Sequence, residues 1–220
     1  MPEWGVRCSD ALSAWSAIAH ECIRVVEAYI AAVPGDAPYG YGERTSVGLL
    51  AAAVWRSGGV ALQDYRYDPC ADWSSAKREW GDLSAVIDGL TFLVECKVDW
   101  YLEGSGLPAY RERLKDAKSE AASKIQVPNA AAFDPDAARR LAVVFSSPET
   151  PESQDDSGFR TKLRALNDMF EVGELDLVAW CTPYSALDSF KSMPTQRTWY
   201  PGMIITIKEV SRKGASSLTG

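Results

Sequence analysis

The stretch Asp82–Lys97, DLSAVIDGLTFLVECK, constrains this chain more than any other. Two short β-prone runs, Leu83–Ile87 and Leu90–Val94, flank the dipeptide Asp88-Gly89. A two-residue type I′ turn needs positive φ at both central positions, which Asp-Gly tolerates, so the segment predicts a tight hairpin. A two-residue turn sets the register. Ile87 then faces Leu90, and Asp82 falls opposite Glu95, with Cβ atoms roughly 4.5–5.5 Å apart. Side chains alternate along a strand. Asp82, Ser84, Glu95 and Lys97 therefore share one face, and Leu83, Ala85, Ile87, Phe92, Val94 and Cys96 form an apolar face opposite.

Two carboxylates set against each other repel unless positive charge lies between them. A hard divalent cation such as Mg²⁺ suits carboxylate and carbonyl oxygen. A lysine two residues beyond Glu95 is placed to orient a metal-bound water or to stabilise developing negative charge. Asp82 followed by Glu95-Cys96-Lys97 resembles the D…(D/E)-x-K signature of the PD-(D/E)XK, or restriction-endonuclease-like, nucleases. Gly81 stands where many of them carry proline. Glu-x-Lys alone is common on solvated strand faces, so the weight rests on the register and on the scaffold around it.

Composition narrows the alternatives. The 220 residues are 46% hydrophobic and 24% charged, ordinary for one soluble globular domain. No apolar run approaches the roughly 20 residues of a membrane span. The first residues, MPEWGVRCSD, lack the basic-then-apolar pattern of a secretory signal. The five cysteines are scattered without a Cys-x-x-Cys, so the expectation is a cytoplasmic protein with reduced thiols. The single histidine, His20, lies mid-helix with no nucleophile motif nearby and is read as a boundary residue. A net charge of −7 argues against a general nucleic-acid coat, yet an acidic metal site contributes to that deficit.

Taken in order, Cys8 to Val33 predicts one long helix, with a stripe of Leu12, Trp15, Ala19, Cys22, Val26, Tyr29 and Val33. A second helix is expected over Glu43 to Arg56, with Val47, Leu50 and Val54 inward. Glu43 shares that inward side; it is read either as a first-turn charge or, by the resemblance, as a further residue of the metal site. Val60–Tyr67 reads as a strand, followed by the hairpin strands, and Asp99–Gly106 as a loop. Pro108 opens a helix to about Ile125, whose outer faces carry Arg111, Arg113, Lys115, Lys118 and Lys124 among three acids. Those cations are either a solvated face with local ion pairs or a phosphate-tracking surface. Leu141–Phe145 reads as a buried strand and Ser146–Ser157 as an acidic loop. A helix over Phe159–Phe170, a buried strand over Leu175–Cys181, a short helix over Tyr184–Met193 and an edge-type strand over Met203–Val210 follow.

The expected fold is α/β: one domain over 1–220, with a restriction-endonuclease-like αβββαβ core at 42–146 around a central mixed sheet. An N-terminal helix (8–33), C-terminal α/β elements (147–210) and a flexible tail (211–220) complete it. The resemblance implies a metal-dependent nuclease, with DNA as the favoured substrate. Asp82, Glu95, the Cys96 carbonyl and Glu43 would hold Mg²⁺ or Mn²⁺, Lys97 would position or help deprotonate the attacking water, and Arg111, Arg113, Lys115 and Lys118 would meet the substrate. The alternative is an inactive binding protein on the same scaffold, a defence-system or immunity subunit recognising a basic protein partner. A homodimer is also left open, and a membrane partner is not expected. Gln126 lacks the tyrosine four residues on that marks the RecB-like subgroup.

Overall fold

The Asp88-Gly89 turn organises the sheet as its residue types require. Both central residues have positive φ, 51° and 76°, and the ladder runs from Ile87↔Leu90 to Leu83↔Val94. A computed structural model describes residues 3–34, 36–67, 79–101, 106–123, 138–148, 157–182 and 201–211. Its strands are β1 (Glu3–Cys8), β2 (Val60–Tyr67), β3 (Glu79–Ile87), β4 (Leu90–Tyr101), β5 (Arg139–Pro148), β6 (Leu177–Thr182) and β7 (Met203–Glu209). Its α-helices are α1 (Ser13–Ala32), α2 (Glu43–Arg56), α3 (Gly106–Ser123) and α4 (Ser157–Glu171).

The seven strands form one mixed sheet in the order β1-β6-β7-β5-β4-β3-β2. Among the described strands only β4 and β5 pair in parallel. A parallel pair needs a long crossover, and α3 supplies it. The chain is thus α/β, and α2, β2, β3, β4, α3 and β5 follow one another as αβββαβ. No described helix is long and apolar enough to cross a membrane.

The sheet is covered unequally. On one face Leu83, Ala85, Phe92, Val94 and Cys96 join Trp15, Cys22 and Val26 of α1 and Leu50 and Val54 of α2 in a single core. On the other face Ala142, Val144, Val178 and Ile204 pack with Tyr110, Leu114 and Ala117 of α3 and Phe159, Leu166 and Met169 of α4. Strands β5, β6 and β7 are therefore buried on both sides, which explains the unbroken apolar runs LAVVF and LVAWC. The outer face of β2 and β3 is not covered this way: Leu62 and Val86 stay exposed, at 62% and 39%. Asp82, Glu95 and Lys97 stand where the two-sided cover gives way to that open face.

Several expectations are corrected. The first helix is shorter than Cys8–Val33, because residues 3–8 form β1, antiparallel to β6. Gly5 hides this strand in the sequence, since glycine is a poor strand former. A Cβ there would run into the Trp180 ring, so glycine is required. Tyr29 and Val33 lie outside the buried stripe of α1, while Ile18, Ile23 and Ile30 lie within it. Strand β7 is interior, between β6 and β5, and the edges are β1 and β2. Its polar residue Thr206 is fully buried, donating to the Val144 carbonyl at 3.2 Å and paired with the Tyr110 hydroxyl at 2.7 Å.

Strand β4 runs on to Tyr101, so Asp99 is a strand residue rather than a loop residue. Ser146 and Ser147 belong to β5, not to the acidic loop. Residues 149–156 of that loop, the expected helix at 184–193, Lys124 and the tail from 212 lie outside the described residues.

Candidate functional site

The site starts where the β3–β4 ladder stops. Leu83↔Val94 is the last pair of the ladder, and Asp82 and Glu95 come next. There the Asp82 carboxylate accepts the backbone N–H of Cys96 through Oδ2 at 2.8 Å. This contact ties the side chain across the hairpin and commits one of its oxygens. Glu95 is 2% exposed, between the open face and the core beneath α3. The Cys96 side chain points the other way, into the α1/α2 core. Burial first, then the charges of Asp82, Glu95 and Glu43, push its thiol well above the usual range. Only its carbonyl is suited to a hard cation.

On the other side of β3, Gln63 pairs with Leu83 and Tyr65 with Gly81. Asp64 between them faces Asp82, with φ at 47°. A left-handed backbone is uncommon for residues other than glycine, and aspartate is among those that tolerate it. The kink leaves Asp64 exposed on the rim of a cleft of about 280 Å³, lined by Glu43, Arg44, Val47, Gln63, Asp64 and Asp82. Glu43 and Arg44 reach it because they open α2, whose first turn stands over β2 and β3. Sequence reasoning placed Glu43 and Asp82 but missed Asp64 and Arg44. The signal for Asp64 was a lone acid within an otherwise regular strand, VALQDYRY.

Lys97 is drawn to the same place from β4. Its side chain is 18% exposed, and Nζ lies 2.9 Å from Glu120 Oε2 on α3. Burial pulls its pKa down. The Glu120 hydrogen bond and the charges of Glu43, Glu120 and Asp82 push it up, and the net shift is upward. Lys97 is therefore an ammonium at neutral pH, within electrostatic reach of three elements' carboxylates. The folded-state pKa lies above the unfolded value, near 10.4. The pair's contribution is thus complete below that pH and is lost as pH rises through the folded value. Glu120 is 43% exposed, so screening limits the contribution to roughly 0.2–1 kcal/mol. Glu120→Gln should flatten the alkaline decline of stability by that amount, as read from urea melts across the alkaline range.

Glu43, Asp82, Glu95 and Lys97 are thus brought to one region. Their donors are carboxylates, right in kind for a hard cation. Among the described residues, however, no three acidic, histidine or cysteine side chains are gathered at a spacing that would grip a metal. The four substrate-facing candidates on α3 divide. Arg111 pairs with Glu174 at 3.4 Å and Lys115 with Glu112 at 3.0 Å, whereas Arg113 and Lys118 pair with no described residue. Arg113 lies two helical turns before Glu120 and so shares its side of α3, while Lys118 lies on the far side. His20 packs edge-on against Trp4, with ring centroids 5.2 Å apart.

No family model matches this chain, and neither a curated protein nor a solved structure matches it.

Proposed function

We propose that this chain is a metal-dependent nuclease of the PD-(D/E)XK kind, hydrolysing phosphodiester bonds in nucleic acid, with DNA as the favoured substrate. The observation that carries the reading is the meeting of Asp82, Glu95 and Lys97 at the end of the β3–β4 ladder. Glu43 acts on Lys97 from the helix before the sheet. The order α2-β2-β3-β4-α3-β5, with β4 and β5 parallel, is the element order of a restriction-endonuclease-like core and supports the same reading.

Glu43, Asp82, Glu95 and the Cys96 carbonyl would hold Mg²⁺ or Mn²⁺. When bound, such an ion lowers the pKa of water and neutralises phosphate charge. Lys97 contributes a fixed positive charge. Its raised pKa suits it to donate hydrogen bonds to a phosphate oxygen or to the attacking water, and unsuits it to take the water's proton. Glu120 orients that ammonium from α3. Arg113, which pairs with no described residue and lies on the Glu120 side, is the α3 cation best placed to follow the strand's phosphates.

Metal-dependent cleavage by purified protein is the test. Single- and double-stranded DNA and RNA are incubated with Mg²⁺ or Mn²⁺, and Asp82→Asn should remove the cleavage while keeping the far-ultraviolet circular dichroism. Metal should also raise the wild-type melting temperature, less so in Asp82→Asn. No cleavage of any substrate with either metal would overturn the reading.

A binding protein on the same scaffold is the second reading, favoured by the net charge of −7. It predicts no cleavage and a basic protein partner that co-purifies.

A further inference from the structure

Arg44 is the only cationic residue among the described residues lining the cleft beside Asp82, and three carboxylates, Glu43, Asp64 and Asp82, line it too. Four other described arginines are taken up by nearby carboxylates. Arg7 pairs with Glu171, Arg24 and Arg56 both with Glu21, and Arg139 with Glu209. Arg44 is exposed and makes no hydrogen bond or ion pair with any described residue.

Its place in the fold gives it no structural return. It is the second residue of α2, and a cation in a helix's first turn opposes the helix dipole. Its side chain adds nothing to the core that Val47 and Leu50 of the same helix enter. A guanidinium that no described residue pairs with, held in an acid-lined cleft against the local dipole, fits an anion that arrives from outside. Its planar fork matches two oxygens of one phosphate.

We infer that Arg44 binds two non-bridging oxygens of one phosphate of the nucleic-acid strand that enters this cleft. This rests on the nuclease reading, because it takes the carboxylate side of the cleft as the cation side. Arg44 then sets the strand's position from α2, opposite to the approach from α3.

The experiment compares wild type, Arg44→Gln and Arg44→Lys in steady-state cleavage of labelled duplex DNA with Mg²⁺, over a series of NaCl concentrations. Arg44→Gln should raise KM roughly tenfold, the size of a lost charged hydrogen bond, with kcat changed far less. The slope of log affinity against log salt should become shallower by about 0.9, one phosphate contact. Arg44→Lys should recover the slope but only part of the affinity, since it keeps the charge and loses the fork. Melting temperature should not fall in either variant.

Wild type that cleaves DNA while Arg44→Gln keeps its KM and salt slope would overturn the role of Arg44 and leave the nuclease reading standing. A higher KM with an unchanged slope would also overturn it, since that marks a structural effect. If wild type neither binds nor cleaves DNA or RNA, both fall together.

Discussion

Lys97→Ala should lower phosphodiester cleavage by about 10²–10³-fold, the usual loss when one preorganised charge-stabilising donor is removed from an active site. The loss should fall on kcat. Lys97 is held by Glu120 at 2.9 Å in a position set by β4, and its charge is maintained by the acids around it. It therefore gains most when phosphate charge develops, and little in the ground state. Folding should be nearly unaffected, because the ammonium sits on the polar face of β4 while Val94 and Cys96 supply the core contacts of the same strand. Single-turnover cleavage and a urea melt, taken on the same preparation, separate the two effects. Lys97→Arg should keep the charge yet recover only part of the rate, since the guanidinium is a planar fork and not a compact point charge. Cleavage undiminished in Lys97→Ala would remove Lys97 from the chemistry.

The second large effect is on stability. Lys162 of α4 reaches Asp99 of β4 at 2.6 Å, with the two side chains only 2% and 4% exposed. Ser146 donates to the same carboxylate oxygen at 3.5 Å, and the Lys162 ammonium lies 5.0 Å from the centre of the Tyr110 ring. Burial lowers the lysine's pKa more than the Asp99 hydrogen bond and charge raise it. The ammonium is therefore under pressure from desolvation, and Asp99 is the partner that offsets it. Lys162→Met should destabilise the chain by about 3–5 kcal/mol, because it strands a buried carboxylate. The double variant Asp99→Asn/Lys162→Met should recover more than half of that loss, since removing both charges also removes the desolvation penalty. Urea denaturation with an unchanged m-value is the measurement. A single variant as stable as wild type would show that the pair carries no such weight. Asp99 lies two residues past Lys97 on the same face of β4, so the single variant should also blunt cleavage.

The candidate site was legible as far as it depends on neighbours in the chain. Asp88-Gly89 specified the turn and the turn specified the register, which the ladder keeps as far as Leu83↔Val94, with Asp82 reaching the Cys96 N–H just beyond it. Helix α2 over Glu43–Arg56 and strand β2 over Val60–Tyr67 were legible too, because their apolar periodicity and their Gly-rich or Pro-rich ends are local signals. Charge on α3 was visible, but which cations stay unpaired was not, since Arg111 is taken by Glu174, 63 positions away.

What the sequence by itself determined, then, is the hairpin, the polar and apolar faces it carries, and the helices and strands with strong periodicity. Only the tertiary structure decided which polar residues meet water. Asp99 looked like the start of a loop and is a buried partner of Lys162, which lies 63 residues further on. Thr206 lies in a run that read as an edge-type strand and is buried between β5 and α3. Asp64 looked like an ordinary strand position and faces Asp82 through a left-handed kink, beside an Arg44 that no described residue claims. The physical reason is common to all three. A polar side chain has the same chemistry in the sequence whether its hydrogen bonds go to water or to a distant residue, and only the folded chain brings that distant residue within reach.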